Sequence, residues 1–400
     1  MLKNGKVEKF CQEYFVERKG TNSLKWDLLK ERFGDADLTG MWVADMEFRV
    51  PDEVQKAMTK RIDHGVFGYS FTPDSYYEAF FNWQRKHLNI NLEKEWVRFS
   101  TGVVNSFYWM VNIFTQENDS VIILPPVYYP FHNAVKDTNR DLVTSELLLE
   151  DERYSIDFED FEEKIVANNV KLFLHCSPHN PAGRVWTRDE LNKIFAICKK
   201  HNVLVVSDEI HQDIIFPGNT FVSTLDDEFE SYRDILVVLT APSKTFNLAC
   251  LLNSHIIIPN SDLRNKYDSE IKKINQSELS IMGQIATEAA YRHGEEWYEN
   301  ILEVIHYNYE YLRENLKTAF PKLKIIKQEA TYLLFIDLSE YVDADDTKEF
   351  IQDHCRLAVD FGEWFSSSCK SFVRLNLATH PKYIEYAVKQ ISDGLTNWEK

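Results

Sequence analysis

Between residues 121 and 258, short runs of β-branched and aliphatic residues alternate with amphipathic stretches, and this alternation constrains the fold more than any other feature. The runs are Val121-Ile-Ile-Leu124, Leu172-Phe-Leu174, Val203-Leu-Val-Val206, Ile235-Leu-Val-Val-Leu239 and His255-Ile-Ile-Ile258. Each has the length of a strand buried on both faces. Between them lie patterns such as Arg188 to Lys200, where Leu191, Ile194, Phe195 and Cys198 recur at helical spacing. Strand–helix alternation predicts an α/β fold with a parallel sheet covered by helices. After about Ile281 the pattern becomes strongly helical, and Tyr332-Leu-Leu-Phe-Ile336 and Val373-Arg-Leu-Asn376 read as strands of a smaller domain. A chain of 400 residues exceeds one small core. The expected division is a large domain over 51–290, starting near Pro51, and a smaller one from 1–50 with 291–400.

In doubly wound sheets, ligands bind beyond the carboxyl ends of the strands. The segment after Leu174 is His175-Cys-Ser-Pro-His-Asn-Pro-Ala-Gly-Arg184, that after Val206 is Ser207-Asp-Glu-Ile-His211, and that after Leu239 is Thr240-Ala-Pro-Ser-Lys-Thr-Phe-Asn247. Consecutive strand ends thus bring Asn180, Asp208 and Lys244 to one edge. Taken singly, each has an ordinary reading: Asn180-Pro181 as a turn, Asp208 as a helix cap, Lys244 as a solvated surface lysine. Together they match what pyridoxal 5′-phosphate (PLP) needs, namely a lysine for its aldehyde, a carboxylate for its pyridine nitrogen and a donor for its ring oxygen.

Ser177-Pro-His-Asn-Pro-Ala-Gly-Arg184, Ser207-Asp-Glu-Ile-His211 and Ser243-Lys-Thr-Phe-Asn247 resemble the class I/II aminotransferase superfamily, as do the intervals of 28 and 36 residues separating Asn180, Asp208 and Lys244. The resemblance runs over nearly the whole chain. It is closest to the cystathionine β-lyase/cysteine C–S lyase subgroup, through Thr21-Asn-Ser-Leu-Lys-Trp-Asp27, Trp42-Val-Ala-Asp-Met46, Phe67-Gly-Tyr-Ser70 and Pro126-Val-Tyr128. It implies a PLP-dependent transferase-like fold, with a mostly parallel seven-stranded sheet in a large domain and a smaller α+β domain. Lys244 is then the Schiff-base lysine and proton-transfer base. Asp208 pairs with the pyridinium nitrogen, Asn180 bonds the ring oxygen and Tyr128 stacks on the ring. His211 stands where transaminating relatives usually place a tyrosine, a difference typical of the lyase subgroup.

Apolar residues Val104, Phe107, Tyr108, Val111 and Phe114 recur at helical spacing after Thr101-Gly-Val-Val104. Free N–H groups at such a helix start bind an anion without net positive charge, and Gly102 admits close approach of the backbone. By resemblance, Gly102, Val103 and Val104 cradle the phosphate, Ser243 assists, and Tyr69 reaches it from the second subunit of a homodimer. The resemblance also makes Arg374 the carboxylate-binding residue, since a guanidinium grips a carboxylate by two parallel bonds. Asp45 and Asn180 join it around the amino-acid substrate. Some positions depart from the family pattern. Ala241 and Leu252 replace a common serine and arginine of the phosphate shell. Cys250 replaces a glycine, and Asn105-Ser106 a Pro-Gly. The loop from Asp360 to Ser371 keeps one glycine where relatives have several.

These features point to a PLP-dependent carbon–sulfur β-lyase (of the cysteine-S-conjugate type) that releases a thiol or sulfide, pyruvate and ammonia, with an aminotransferase as the alternative. A net charge of −18 disfavours nucleic acid and anionic membrane as partners. A PLP-type transcription regulator needs a basic DNA-binding segment, for which residues 1–50 are too short and neutral. A dehydrogenase needs a G-x-G-x-x-G after an early strand, and the chain has none. Residues 1–10 do not read as a signal peptide, no window approaches a membrane span, and six scattered cysteines without a C-x-x-C pair predict reduced thiols, no metal site and a cytoplasmic setting.

Overall fold

The computed structural model of the chain describes residues 5–276 and 279–398. Seven strands form the larger sheet: β1 (Val97–Ser100), β2 (Ser120–Ile123), β3 (Asp141–Thr144), β4 (Leu172–Cys176), β5 (Leu204–Asp208), β6 (Leu236–Thr240) and β7 (Ser254–Ile257). Their spatial order is β1-β7-β6-β5-β4-β2-β3. The pairs from β6 across to β3 are parallel, and β7 runs antiparallel to both of its neighbours. The mostly parallel seven-stranded sheet expected from the sequence is therefore present. The apolar runs foretold β2, β4, β5, β6 and β7 to within about two residues at either end.

Successive strand residues point to opposite faces. Val121, Ile123, Leu172, Leu174 and Val206 pack on one side with Phe107 and Val111 of the helix Val103–Phe114. Ile122, Phe173 and Val205 pack on the other with Leu191, Ile194, Phe195 and Cys198 of the helix Arg188–Lys200. Burying each large aliphatic or aromatic side chain contributes roughly 1.5–3 kcal/mol, so Leu191, Ile194 and Phe195 do most to hold the helix to the sheet. Thr187 and Glu190 close its start as a reciprocal capping box. Glu190 also pairs with Arg184, whose guanidinium is fully buried and pairs with Glu329 as well. The cap thus anchors the turn that carries Asn180.

A second, antiparallel sheet comprises β8 (Lys324–Ile325), β9 (Leu333–Asp337), β10 (Asp360–Phe361) and β11 (Phe372–Asn376), in the order β8-β9-β11-β10. Two long helices, Glu295–Ala319 and Pro381–Asn397, pack against each other, as the helical pattern after Ile281 implies. Among the described residues, no helix is long and apolar enough to cross a membrane.

Candidate active site

The strand ends converge as the topology requires. Cys176 lies opposite Asp208, Asp208 opposite Leu239, and Thr240 opposite His255. Ser254, at the start of the reversed β7, lies opposite Ser100 at the end of β1. Ser100 Oγ contacts Ser254 Oγ at 3.1 Å and Ser106 Oγ at 2.7 Å, which fixes the helix Val103–Phe114 to the same edge. A cavity of about 310 Å³ opens there, and its walls include Gly102, Val103, Val104, Tyr128, Asn180, Asp208, His211, Ser243 and Lys244. The structure thus brings nine of the twelve sequence-predicted residues to one cavity wall.

Lys244 Nζ donates to Ala44 O at 2.8 Å, and Tyr332 donates to the same carbonyl at 3.0 Å. Burial pushes the lysine amine down to about 8, against the opposing pull of Asp45 and Asp208. Asp208 Oδ1 accepts from Ile210 N at 3.0 Å, and burial pushes its carboxyl up to about 7. Asn180 Oδ1 accepts from Arg374 Nη1 at 3.0 Å, while its backbone oxygen accepts from Tyr128 N. Its side-chain amide therefore keeps donors available to a ligand. Burial lowers the His211 pKa well below its usual value, and its buried Nδ1 has no partner among the described residues. Burial likewise keeps the Tyr128 phenol protonated.

Gly102 caps the start of the helix Val103–Phe114 with no side-chain hydrogen bond, and a Cβ placed on Gly102 would stand in open space. The first N–H groups of that helix have no intrahelical acceptor and border the cavity. One wall therefore offers anion-seeking donors, another a carboxylate with no cation in contact, and a lysine lies between them. That donor set fits a molecule with a phosphate, a basic ring nitrogen and an aldehyde. It fits PLP.

The family model for aminotransferase class I and II matches residues 37–391. The cystathionine β-lyase PatB of Bacillus subtilis is 37% identical over 383 residues, covering 95% of this chain and 98% of that protein. The structure of cystalysin from Treponema denticola, which contains a pyridoxal 5′-phosphate cofactor, superposes with a TM-score of 0.91 at 33% identity, covering 96% of this chain and 98% of that one. A PLP-bound C–S lyase from Staphylococcus hominis gives 0.88 at 30% identity, over 96% and 97% of the two chains.

The chain belongs to the class I and II aminotransferase family. Within that family pattern, the departures at Ala241, Leu252 and Cys250 have visible consequences. Ala241 and Leu252 both line the cavity, no arginine is among its lining residues, and Lys244 is the only lysine there. Cys250, on the short helical turn Ala249–Leu251, is exposed.

Three sequence-predicted residues lie outside that wall. Arg374 and Asp45 sit behind it: Arg374 reaches it through Asn180, and Asp45 pairs with Arg18 at 2.8 Å and acts on Lys244 through its charge. Tyr69 is fully exposed, away from the cavity of its own chain. Two functional candidates escaped the sequence reading. Cys176 ends β4 at the cavity, and its Sγ accepts from Asn180 N at 3.4 Å. Asp360 forms a buried ion pair with Arg374. The position of Cys176 at a strand end was a signal for the first; the unusual loop that Asp360 begins marks the second only as a segment, since its pairing with Arg374 has no local signal.

Proposed function

We propose that this protein is a PLP-dependent carbon–sulfur β-lyase acting on cysteine-type amino acids. The convergence of Lys244, Asp208 and Asn180 on one cavity opposite an uncapped helix start supports the cofactor. The 37% identity with a cystathionine β-lyase over nearly all of both chains supports the reaction. When bound, PLP supplies an electron sink for the pair left at Cα when its proton departs.

Lys244 holds the cofactor and takes the Cα proton; an amine near pH 8 is basic enough to accept it and is partly neutral at physiological pH. Asp208 would keep a proton on the pyridine nitrogen, and Asn180 would donate to the ring oxygen. Tyr128 would cover the ring, His211 would present a neutral imidazole beside it, and Ser243 with the N–H groups of Gly102, Val103 and Val104 would receive the phosphate. Arg374 holds the substrate carboxylate, with Asp45 behind Lys244. The pair left at Cα would then form the Cα=Cβ bond as the Cβ–S pair departs with sulfur as thiolate, and the released enamine, through its imine, takes up water to give pyruvate and ammonia. Cysteine S-conjugates are the substrate class this chemistry suits.

The deciding assay gives purified protein L-cystathionine or, separately, L-alanine with 2-oxoglutarate. Pyruvate and ammonia from cystathionine should exceed glutamate from 2-oxoglutarate; the reverse ratio replaces the lyase reading by an aminotransferase. Arg374→Lys keeps the charge and loses the planar guanidinium with its fixed directions of donation. It should raise KM and lower kcat, with the loss in kcat/KM equivalent to about 2 kcal/mol or more. Unchanged kinetics would remove Arg374 from the site.

We also infer a homodimer with shared sites. Tyr69 is fully exposed between Phe67 and Phe71, themselves 57% and 82% exposed, and an apolar stretch of that kind suits a protein interface. Mixing Lys244→Ala with Tyr69→Ala, both inactive, should restore activity through one intact hybrid site, and no recovery after verified subunit exchange counts against sharing. Two domains, 51–290 around the larger sheet and 1–50 with 291–400 around the smaller, agree with where the two sheets fall. All six cysteines are free thiols, which supports a reducing, cytoplasmic setting.

A further inference from the structure

Asp360 begins β10 and stands directly opposite Arg374 across the antiparallel register of β10 and β11. The two side chains are sealed from solvent, at 4% and 3% exposed. Asp360 Oδ2 accepts a charge-assisted bond from Arg374 Nη2. The same Nη2 donates to Trp42 O at 3.3 Å, Nη1 donates to Asn180 Oδ1 at 3.0 Å, and the buried Nε has no partner among the described residues. Arg32 is another cation whose field reaches Asp360; it is exposed, over the rings of Trp364 and Trp42, where water screens it.

A guanidinium has two edges that can grip a carboxylate with paired N–H groups, Nε with Nη2 and Nη1 with Nη2. Both edges include Nη2, which here already serves Asp360 and Trp42. An incoming carboxylate therefore meets a cation that is pinned and whose charge is balanced. We propose that Asp360 is a positioning and specificity residue, which orients the Arg374 guanidinium and, by neutralising it, sets the affinity for the substrate carboxylate. This rests on the reading of Arg374 as the carboxylate-binding residue. Removing the charge of Asp360 leaves a buried cation uncompensated. An anionic ligand then takes over the missing counter-charge, so carboxylates bind more tightly while the guanidinium loses the orientation that reaction needs.

Asp360→Asn in the holoenzyme is the direct test, with two thiol probes as competitive inhibitors. 3-Mercaptopropionate carries a carboxylate and no amine; cysteamine carries an amine and no carboxylate. The variant should bind 3-mercaptopropionate about tenfold more tightly, bind cysteamine within about twofold of the parent, and turn over L-cystathionine at least about tenfold more slowly. A purely structural role moves both probes alike, and that result, or no change in either, overturns the proposal. Arg374→Ala separates the two readings. If it abolishes 3-mercaptopropionate binding while Asp360→Asn leaves that binding unchanged, only the role of Asp360 falls; if neither variant affects it, the Arg374 assignment has failed. Should Asp360→Asn not fold, Asp360→Glu keeps the charge and displaces the pin. It should leave 3-mercaptopropionate affinity within about twofold and lower kcat, and a fully active Glu variant overturns the pinning.

Discussion

Lys244→Ala should yield a protein that binds PLP without a covalent bond and has no measurable lyase activity. Among the residues lining the cavity, Lys244 is the only primary amine. Its local setting is built for that role. Nζ is held at 2.8 Å from Ala44 O, and the turn that carries it is tied down by Asn247, whose side chain bonds Met46 N, Met46 O and Phe48 O. Thr245 adds a 2.6 Å bond to the buried Asp213. These contacts fix the lysine turn against residues 44–48, so alanine at 244 removes the amine and leaves its scaffold intact. The proton transfer alone is worth about 10²–10⁴-fold, and loss of covalent attachment adds to that. The parent protein should be yellow, and borohydride should bleach it and add the mass of reduced cofactor. The alanine variant should gain no such mass. Covalently retained cofactor in Lys244→Ala, or a parent that stays colourless with added PLP, would overturn the cofactor assignment.

How far the sequence reveals such a site depends on whether its determinants are local. β2, β4, β5, β6 and β7 announce themselves because strands covered on both faces must be apolar throughout. β1 and β3 were not legible, and they are the two edge strands. Val97-Arg-Phe-Ser100 and Asp141-Leu-Val-Thr144 mix polar with apolar residues, since an edge position leaves part of each strand in water. The same distinction holds in the site. Asn180, Asp208 and Lys244 are readable because each lies at the end of its own strand or a few residues beyond it. The union of Asp360 with Arg374 depends on the register between β10 and β11, across a connection that carries no periodic signal. The service that Trp42 O and Ala44 O give to Arg374 and Lys244 is also invisible to sequence, since any residue has a backbone carbonyl.

Asp208→Asn should cut turnover by about two to three powers of ten while making the cofactor-free protein more stable at neutral pH. Asp208 is 6% exposed, and its oxygens meet one backbone N–H and no cation within ion-pair distance. Burial consequently raises its folded pKa to about 7 from 3.8. Between those two values the folded cofactor-free protein holds a proton that the unfolded chain has released. The contribution of Asp208 to stability therefore falls as pH rises from about 4 to about 7 and is constant above, at a cost on the order of 2–4 kcal/mol by pH 7. An asparagine of the same shape carries no such cost, so the melting temperature of the cofactor-free variant should exceed the parent's at pH 7.5, and the gap should close near pH 4. With PLP bound, the ring nitrogen's proton gives the carboxylate a partner, and the parent should recover stability that the asparagine variant cannot. Calorimetry on both proteins, with and without cofactor, at pH 4 and pH 7.5 reads all these differences. Equal melting temperatures for the two cofactor-free proteins at pH 7.5, or near-parent turnover by Asp208→Asn, would mean that Asp208 is not the buried counter-charge of the ring.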